Sequence, residues 1–235
     1  MGSVPASLDE RVELLTKLRS PYYEGVTEEQ LRVIAEPARL IEAHAGEYLY
    51  HQGEVASYSY LLLNGLVKII HSHPSGRVII IKFIKPGLAF RMAYPGATSR
   101  YIASAQAATG VRALRWEMHD ATHLLQAIPR VALNSLVVLT EMLMEFVEAV
   151  GEFTYGCAEE RLLWVVRRLA EDLRENDHAV LPITQQELAA STGLSLYTVN
   201  RLIREWEQRG LVQKQRHLLV VQPSKLQIYT KHQGI

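Results

Sequence analysis

Hydrophobic positions change their period three times along the chain, and each change marks a different kind of element. Leu8, Val12, Leu15 and Leu18 recur at helical spacing, and Thr27-Glu28-Glu29-Gln30 offers an N-cap with Gln30 at the capping-box position of a second short helix. Residues 1-39 therefore read as a helical lead-in. From Leu40 to Arg115 the pattern turns to short β-rich runs, Tyr60 to Leu63, Leu66 to His71 and Val78 to Phe83, separated by turn signals. Gly53, Gly65, Gly76 and Gly87 fall 12, 11 and 11 residues apart, the rhythm of a small all-β barrel or sandwich, and Asn64-Gly65 reads as a hairpin turn that tolerates positive φ. A β-domain is expected over residues 40-130.

Between Ala132 and Phe153 the apolar residues Leu136, Leu139, Leu143, Phe146, Val150 and Phe153 step by 3, 4, 3, 4 and 3. So narrow a seam suits pairing with a second helix, and a parallel homodimer is the natural reading; a helix lying on its own β-domain is the alternative, and different faces of one helix accommodate both. Residues 131-156 are read as this dimerisation helix and its hinge. After Gly156, Leu162, Val165, Val166, Leu169 and Leu173 describe another amphipathic helix.

Residues 157-235 carry the recognition chemistry. Thr184 caps a helix that starts at Gln185, with Glu187 returning to the Thr184 amide, and Ser191-Thr192-Gly193 stops it. Ser195 then caps a second helix that runs to Arg209, with Gly210 at its end. Two helices joined by a short Gly-containing turn form a helix-turn-helix. Its inward set is Leu188, Ala189, Leu194, Val199, Leu202, Ile203 and Trp206, which leaves Leu196, Tyr197, Asn200, Arg201 and Arg204 pointing outward. Leu211 to Gln213 and Leu218 to Gln222 read as two strands of a wing around Lys214-Gln215-Arg216-His217.

Composition sharpens this picture. Lys plus Arg and Asp plus Glu number 25 each, so no overall field draws the protein to polyanions, yet Ser195 to Ile235 holds seven Lys or Arg against two acids. Positive charge is thus local to the second helix and wing. The single cysteine, Cys157, forbids an intrachain disulfide, a four-cysteine zinc site and a cysteine-ligated iron–sulfur cluster, and fits a reducing, cytoplasmic setting. Burial of Cys157 as a small apolar residue is expected, with a redox role as the alternative. The charged N-terminus lacks the apolar core of an export signal, and Glu141, Glu145 and Glu148 interrupt the oiliest stretch, so no membrane span is read. The chain has no nucleophile elbow, phosphate loop or His-Glu-x-x-His signature, so an enzyme is not expected.

Helix geometry assigns roles at the DNA. The N-terminal part of the second helix is expected in the major groove, where Arg201 offers two donors to guanine O6/N7, Asn200 pairs with adenine and Tyr197 meets a base edge, a methyl or a phosphate. Gln185, Ser195, Thr198, Arg204, Lys214 and Arg216 are the candidate backbone contacts. A dimer would require a pseudo-palindromic double-stranded operator.

A β-domain, a long dimer helix and a C-terminal winged helix-turn-helix, in that order, resemble the CRP/FNR family of bacterial transcription regulators. The matching residues are Gly46-Glu47, Gln52-Gly53-Glu54, Tyr60-Leu61-Leu62-Leu63-Asn64-Gly65, Ser75-Gly76-Arg77 and Phe83-Ile84-Lys85-Pro86-Gly87, then Gln186-Glu187-Leu188-Ala189 and Thr198-Val199-Asn200-Arg201. The resemblance implies an α+β fold. It consists of an N-terminal double-stranded β-roll of cyclic-nucleotide-binding type, a long dimerisation helix and a winged helix-turn-helix, with an effector state relayed to the DNA heads and RNA polymerase as a further partner.

Departures from the family pattern bear on the effector. Cyclic-nucleotide binders carry a Gly-Glu-Leu-type cassette and a following Arg-Ser or Arg-Thr; here Gly87-Leu88-Ala89-Phe90-Arg91-Met92 lacks the glutamate and Ser99-Arg100-Tyr101-Ile102 follows. The positions matching the base-contacting Thr-Ser pair are Phe146-Val147. Those changes argue against cyclic AMP, while Phe90, Arg91, Met92, Arg100, Tyr101, Phe146 and Val147 remain the candidate effector pocket. The effector is therefore open. One cysteine argues against the oxygen-sensing cluster, and Arg91 and Ala93 stand where the carbon-monoxide sensor has Cys and His; a haem or redox sensor by another arrangement, and an effector-independent regulator with its pocket packed shut, are the alternatives. His71 and His73 are the best histidine pair and make an incomplete metal site. Leu196 and Tyr197 replace the Arg and Glu that many members place before Thr-Val-x-Arg, so a different half-site is expected.

Overall fold

The computed structural model describes residues 2–90, 100–216 and 218–233, the last four by backbone alone. The chain opens with β1 (Gly2–Val4) and α1 (Leu8–Lys17), makes a tight helical turn at Pro21–Tyr23 and enters α2 (Glu28–Ala35). Eight strands follow, namely β2 (Arg39–Ala43), β3 (Tyr48–Tyr50), β4 (Tyr58–Asn64), β5 (Val67–Ser72), β6 (Val78–Ile84), β7 (Ala89–Phe90), β8 (Ser104–Ala107) and β9 (Val111–Glu117). Next come α3 (Met118–Ala127), α4 (Pro129–Tyr155), α5 (Ala158–Asp172), β10 (Ala179–Leu181), α6 (Gln185–Thr192) and α7 (Leu196–Gln208). The chain closes with β11 (Val212–Gln215), β12 (Leu218–Val221) and α8 (Pro223–Gln233).

The second lead-in helix starts where its Thr27 cap predicts, and Ser7 caps the first. Ser7 Oγ accepts the Glu10 amide at 3.1 Å, and the Thr27 amide donates to Gln30 Oε1 at 3.0 Å while the Gln30 amide donates back to Thr27 Oγ1. The strands form a five-stranded sheet in the order β1-β2-β9-β4-β7 and a four-stranded sheet in the order β3-β8-β5-β6. Strand β9 sits centrally, with Leu114 opposite Leu40 on one side and Leu61 on the other. Period-two alternation sends Ile41, Tyr60, Leu62 and Ala113 into the core they share with Leu49, Val67 and Ala105 of the second sheet. It sends Leu40, Leu61, Leu114 and Trp116 the other way, against Val12, Leu15, Ile34 and Leu124 of the helices. Both faces of the five-stranded sheet are therefore covered, which is why Tyr60, Leu61 and Leu62 are consecutive and all buried. Each such side chain contributes about 1.5–3 kcal/mol. The Trp116 indole N–H is satisfied by Ile34 O at 2.8 Å. This is the expected α+β double-sheeted β-roll followed by a winged helix-turn-helix.

Several details differ from expectation. Gly65 has φ +90°, as its turn predicts, but Asn64-Gly65 closes no hairpin, because β4 stays in the five-stranded sheet while β5 joins the other. The turn carries the chain between sheets. Strand β1, helix α3, strand β10 and helix α8 are absent from the hydrophobic pattern. Helix α3 follows Glu117, whose side chain makes no cap bond, and β1 is three residues held by β2. Cys157 is exposed rather than buried: it is the N-cap of α5, where the chain must leave helical geometry and its side chain has no core to enter. No single helix among the described residues is long and apolar enough to cross a membrane.

The chain divides into two compact units, Met1–Ile70 with Ile84–Leu143 and His71–Phe83 with Met144–Ile235. The sequence places boundaries at 39, 130 and 156, next to the start of β2 and the two ends of α4, whereas this division cuts α4 and assigns the tip of the β5–β6 hairpin to the second unit. Side chains of α5 and α6 supply the reason. Arg168 Nη1 donates to Ile81 O at 2.6 Å, the Phe83 amide donates to Asp172 Oδ2 at 3.2 Å and the Ile80 amide to Ser191 Oγ at 3.2 Å. Lys82 Nζ lies 3.4 Å from Glu145 Oε2 and 3.6 Å from Asp172 Oδ1, and Arg168 Nη2 lies 2.8 Å from the same Glu145 oxygen. Thus an unpaired strand edge is satisfied by side chains instead of a further strand. Burial holds the Asp172 carboxyl above its ordinary value despite the nearby Lys82 and Arg168. Burial also works against ionisation of Glu145, but Arg168 and Lys82 outweigh it and its carboxyl titrates below the usual range.

Two predictions come from these contacts. A Cβ at Gly65 would sit 2.1 Å from Gly110 O, on top of the left-handed φ, so Gly65→Ala is expected to lower stability by at least about 1–3 kcal/mol in denaturant titration. The carboxylate pair should titrate with opposite signs. Asp172, raised in the folded state, contributes stability present below 3.8 that fades as pH rises through its folded value, and Asp172→Asn should abolish that fall. Glu145, lowered, contributes stability present above 4.5 that fades as pH drops through its folded value, and Glu145→Gln should abolish that loss. Unfolding free energies measured from pH 3 to 7 for both variants check the two signs.

Candidate nucleic-acid interface

The helix-turn-helix is assembled by caps and one buried stripe. The Thr184 amide donates to Glu187 Oε2 at 2.7 Å and the Glu187 amide to Thr184 Oγ1 at 3.1 Å, fixing the start of α6 at Gln185. Gly193, at φ +68°, ends it in left-handed geometry. Ser195 Oγ accepts the Thr198 amide at 3.1 Å and opens α7. Val199, Leu202, Ile203 and Trp206 of α7 are buried, as are Leu188 and Ala189 of α6, while Leu194 in the turn is half-buried. With that stripe committed inward, the opposite face of α7 has no choice.

Tyr197 is 78% exposed, Leu196, Arg201 and Arg204 are exposed, and Asn200 is half-buried at the margin of the same face. The three expected base readers Tyr197, Asn200 and Arg201 therefore share the N-terminal half of one helix. Ser195 and Thr198 spend part of their hydrogen-bonding capacity on each other, with the hydroxyls 2.8 Å apart. Gln185 is half-buried at the start of α6. Strands β11 and β12 pair from Val212↔Val221 to Gln215↔Leu218, with β10 on the far side of β12, and this wing exposes Lys214 and Arg216. His217 lies outside the described residues.

Connections that periodicity does not reveal hold these pieces together. Glu159 Oε1 on α5 accepts the Trp206 indole N–H at 3.0 Å and the Tyr229 hydroxyl at 2.6 Å, and Arg209 Nη1 donates to that hydroxyl at 2.6 Å. The C-terminal end of α7 is thereby tied to α5 and α8. Burial, then the bond to Glu159, raises the Tyr229 phenol above its ordinary value, so it stays a neutral donor. The two acids of the Ser195–Ile235 segment are both engaged: Glu207 Oε1 accepts the Lys214 amide at 3.0 Å, steadying the wing, and Glu205 Oε1 lies 2.7 Å from Arg201 Nη1. Only the four-residue spacing of Arg201 and Glu205 was available in sequence as a signal for the latter.

The expected effector residues are divided between the two compact units. Phe90 and Tyr101 are buried in the β-roll interior with Tyr50 and Tyr60; Tyr50 stacks on Tyr101 at 3.9 Å between ring centres and Tyr60 on Phe90 at 5.1 Å. The Tyr101 hydroxyl donates to Tyr58 O at 3.2 Å and accepts the Tyr58 amide at 3.1 Å. Arg100 is exposed and donates through Nη1 to Gly53 O at 2.6 Å. Arg91 and Met92 lie outside the described residues. Phe146 and Val147 are exposed on the second half of α4. Along that helix the seam residues Leu136, Leu139, Leu143, Phe146, Val150 and Phe153 are 38% to 64% exposed, and Leu133, Val137, Met144 and Val147 add a second uncovered row. Phe153 also meets Trp164 edge-on at 6.1 Å. His71 lies within β5 whereas His73, beyond the strand, turns to Ser75 Oγ at 2.8 Å, and no group of three or more potential metal ligands occurs among the described residues.

Comparison with known proteins agrees with this architecture. Residues 40–127 match the cyclic nucleotide-binding domain family model and residues 160–229 the Crp-like helix-turn-helix domain model. The chain is 24% identical over 193 residues to the cyclic AMP receptor protein of Thermus thermophilus, covering 82% of this chain and 88% of that one. In fold it is similar to FixK2 from Bradyrhizobium japonicum, with a TM-score of 0.69 at 19% identity over 81% of this chain and 96% of that one. A c-di-GMP responsive global regulator, CLP, of Xanthomonas campestris gives a TM-score of 0.69 at 16% identity, covering 83% and 99%. A cyclic-nucleotide-type β-roll and a Crp-like winged helix-turn-helix in one chain, in this order, mean that the protein belongs to the CRP/FNR family of transcription regulators, with a DNA-binding helix-turn-helix.

Proposed function

We propose that the protein acts in the cytoplasm as a homodimeric, sequence-specific regulator that sets two copies of α7 into successive major grooves of a pseudo-palindromic operator. The observation that carries this reading is the outward face of α7, where Tyr197, Asn200, Arg201 and Arg204 cluster on a helix whose other side is wholly buried. A locally basic wing beside it supports the same reading, since Lys214 and Arg216 suit phosphates. Dimerisation is supported by α4: two adjacent rows of exposed apolar side chains from Leu133 to Phe153 form a contiguous patch of the kind that marks an interface. Half-sites would then lie about one helical turn apart. RNA polymerase is the further partner this role implies.

The stacked rings of Tyr50, Tyr60, Phe90 and Tyr101 favour a second reading for the sensor. Aromatic side chains pack the β-roll interior, and burial holds the Tyr60 phenol well above its ordinary value and neutral. That supports control without cyclic AMP, by another ligand or by abundance alone.

Operators selected from random duplexes, then measured by titration, test the DNA reading. Arg201→Ala is expected to cost about 1–3 kcal/mol on the selected operator and to relax preference at one base pair per half-site. Lys214→Ala should instead weaken binding to all sequences alike and reduce the salt slope by about one. Phe146→Glu places a charge in the seam of each helix and should weaken the dimer by about 3 kcal/mol, on the order of a hundredfold in its dissociation constant, read by sedimentation. Cyclic AMP at millimolar concentration should leave operator affinity unchanged; a tenfold gain would refute the sensor reading.

A further inference from the structure

We infer that Glu205 is the positioning residue for Arg201, holding one end of its guanidinium so that a single two-donor edge is presented to a guanine. This deepens the reading of Arg201 as a base contact and rests on it. The side chains meet at 2.7 Å between Arg201 Nη1 and Glu205 Oε1, one turn apart on the exposed side of α7. Helix stability does not explain the pair. An acid four residues C-terminal to its base is the weaker of the two orientations, and Glu205 sits in the last turn of α7, where the helix dipole disfavours negative charge. An exposed pair of this kind is worth only a few tenths of a kcal/mol in any case.

Guanine recognition does explain it. An arginine presents either its end, through both Nη atoms, or its side, through Nε and Nη2. Glu205 occupies Nη1, so the side edge is the two-donor face left for O6 and N7. Holding a long, rotamer-rich side chain before binding also lowers the ordering cost at the moment of contact. Charge gives a second effect. Glu205 and Glu207 are the acids of a segment with seven bases, and Glu205 partly neutralises Arg201 where phosphates lie close, which suppresses attraction to DNA of any sequence.

The experiment uses the full-length protein and its selected operator, comparing the wild type with Arg201→Ala, Glu205→Gln and Glu205→Asp at two or more salt concentrations. The base pair is the one at which Arg201→Ala loses preference. There, the wild type should favour guanine by about fivefold to a hundredfold, and Glu205→Gln should cut that ratio to about twofold. On random duplex the same variant should bind more tightly than the wild type, with a salt slope steeper by about one per head. Glu205→Asp, which keeps the charge, should restore the wild-type slope on random duplex. A merely structural pair would shift the thermal midpoint slightly and leave both the guanine ratio and the slope untouched. That outcome, with Arg201→Ala still erasing the preference, overturns the role of Glu205 alone. If Arg201→Ala leaves every position unchanged, the major-groove assignment fails first, and this inference with it.

Discussion

Burial of Val199, Leu202, Ile203 and Trp206 on one side of α7 is the constraint on which the functional face depends. A helix has a fixed angular step, so committing four positions to the core determines the direction of every other side chain on it. Tyr197, Arg201 and Arg204 are outward because those four are inward. The Trp206 indole, bonded to Glu159, adds a polar anchor to the apolar one and sets the axial position of the helix against α5. A recognition helix read by base edges needs that second constraint, because a shift of a fraction of a turn would move each donor to a different base pair.

A similar logic in two dimensions governs the β-roll. Strand β9, flanked by β2 and β4, makes the five-stranded sheet a wall with two apolar faces, one toward the second sheet and one toward α1, α2 and α3. The aromatic rings of Tyr50, Tyr60, Phe90 and Tyr101 then occupy the inner side. The side chains chosen at these inward positions set what the interior of the frame can accept. The same frame supports many ligand chemistries, and specificity lives in the few positions that face the interior.

Electrostatics are distributed with equal economy. The chain is neutral overall, yet Lys82 and Arg168 face Glu145 and Asp172 in one partly buried cluster where the β5–β6 hairpin meets α5. Elsewhere Arg201, Arg204, Arg209, Lys214, Arg216 and Lys225 stay exposed, while Glu207 serves the Lys214 amide and Glu205 pairs with Arg201.

Much of this was legible in the amino-acid order, because it follows from local geometry. The capping box at Thr184, the left-handed stop at Gly193, the cap at Ser195 and the 3.6-residue period of α7 each act within a few residues, so the helix-turn-helix and its outward face could be derived without a fold. The β-strands and the positive φ at Gly65 were legible for the same reason. Tertiary structure alone decided which sheet each strand joined, that Asn64-Gly65 passes the chain between sheets, that α3 and α8 form without strong periodicity, and that Cys157 faces solvent. It also brought Glu159 to Trp206 and the hairpin backbone to Arg168 and Asp172. Those are pairings across 47 to 89 positions of chain. Their energy comes from desolvation and from satisfying polar groups that no neighbour in sequence can reach, so no local pattern encodes them.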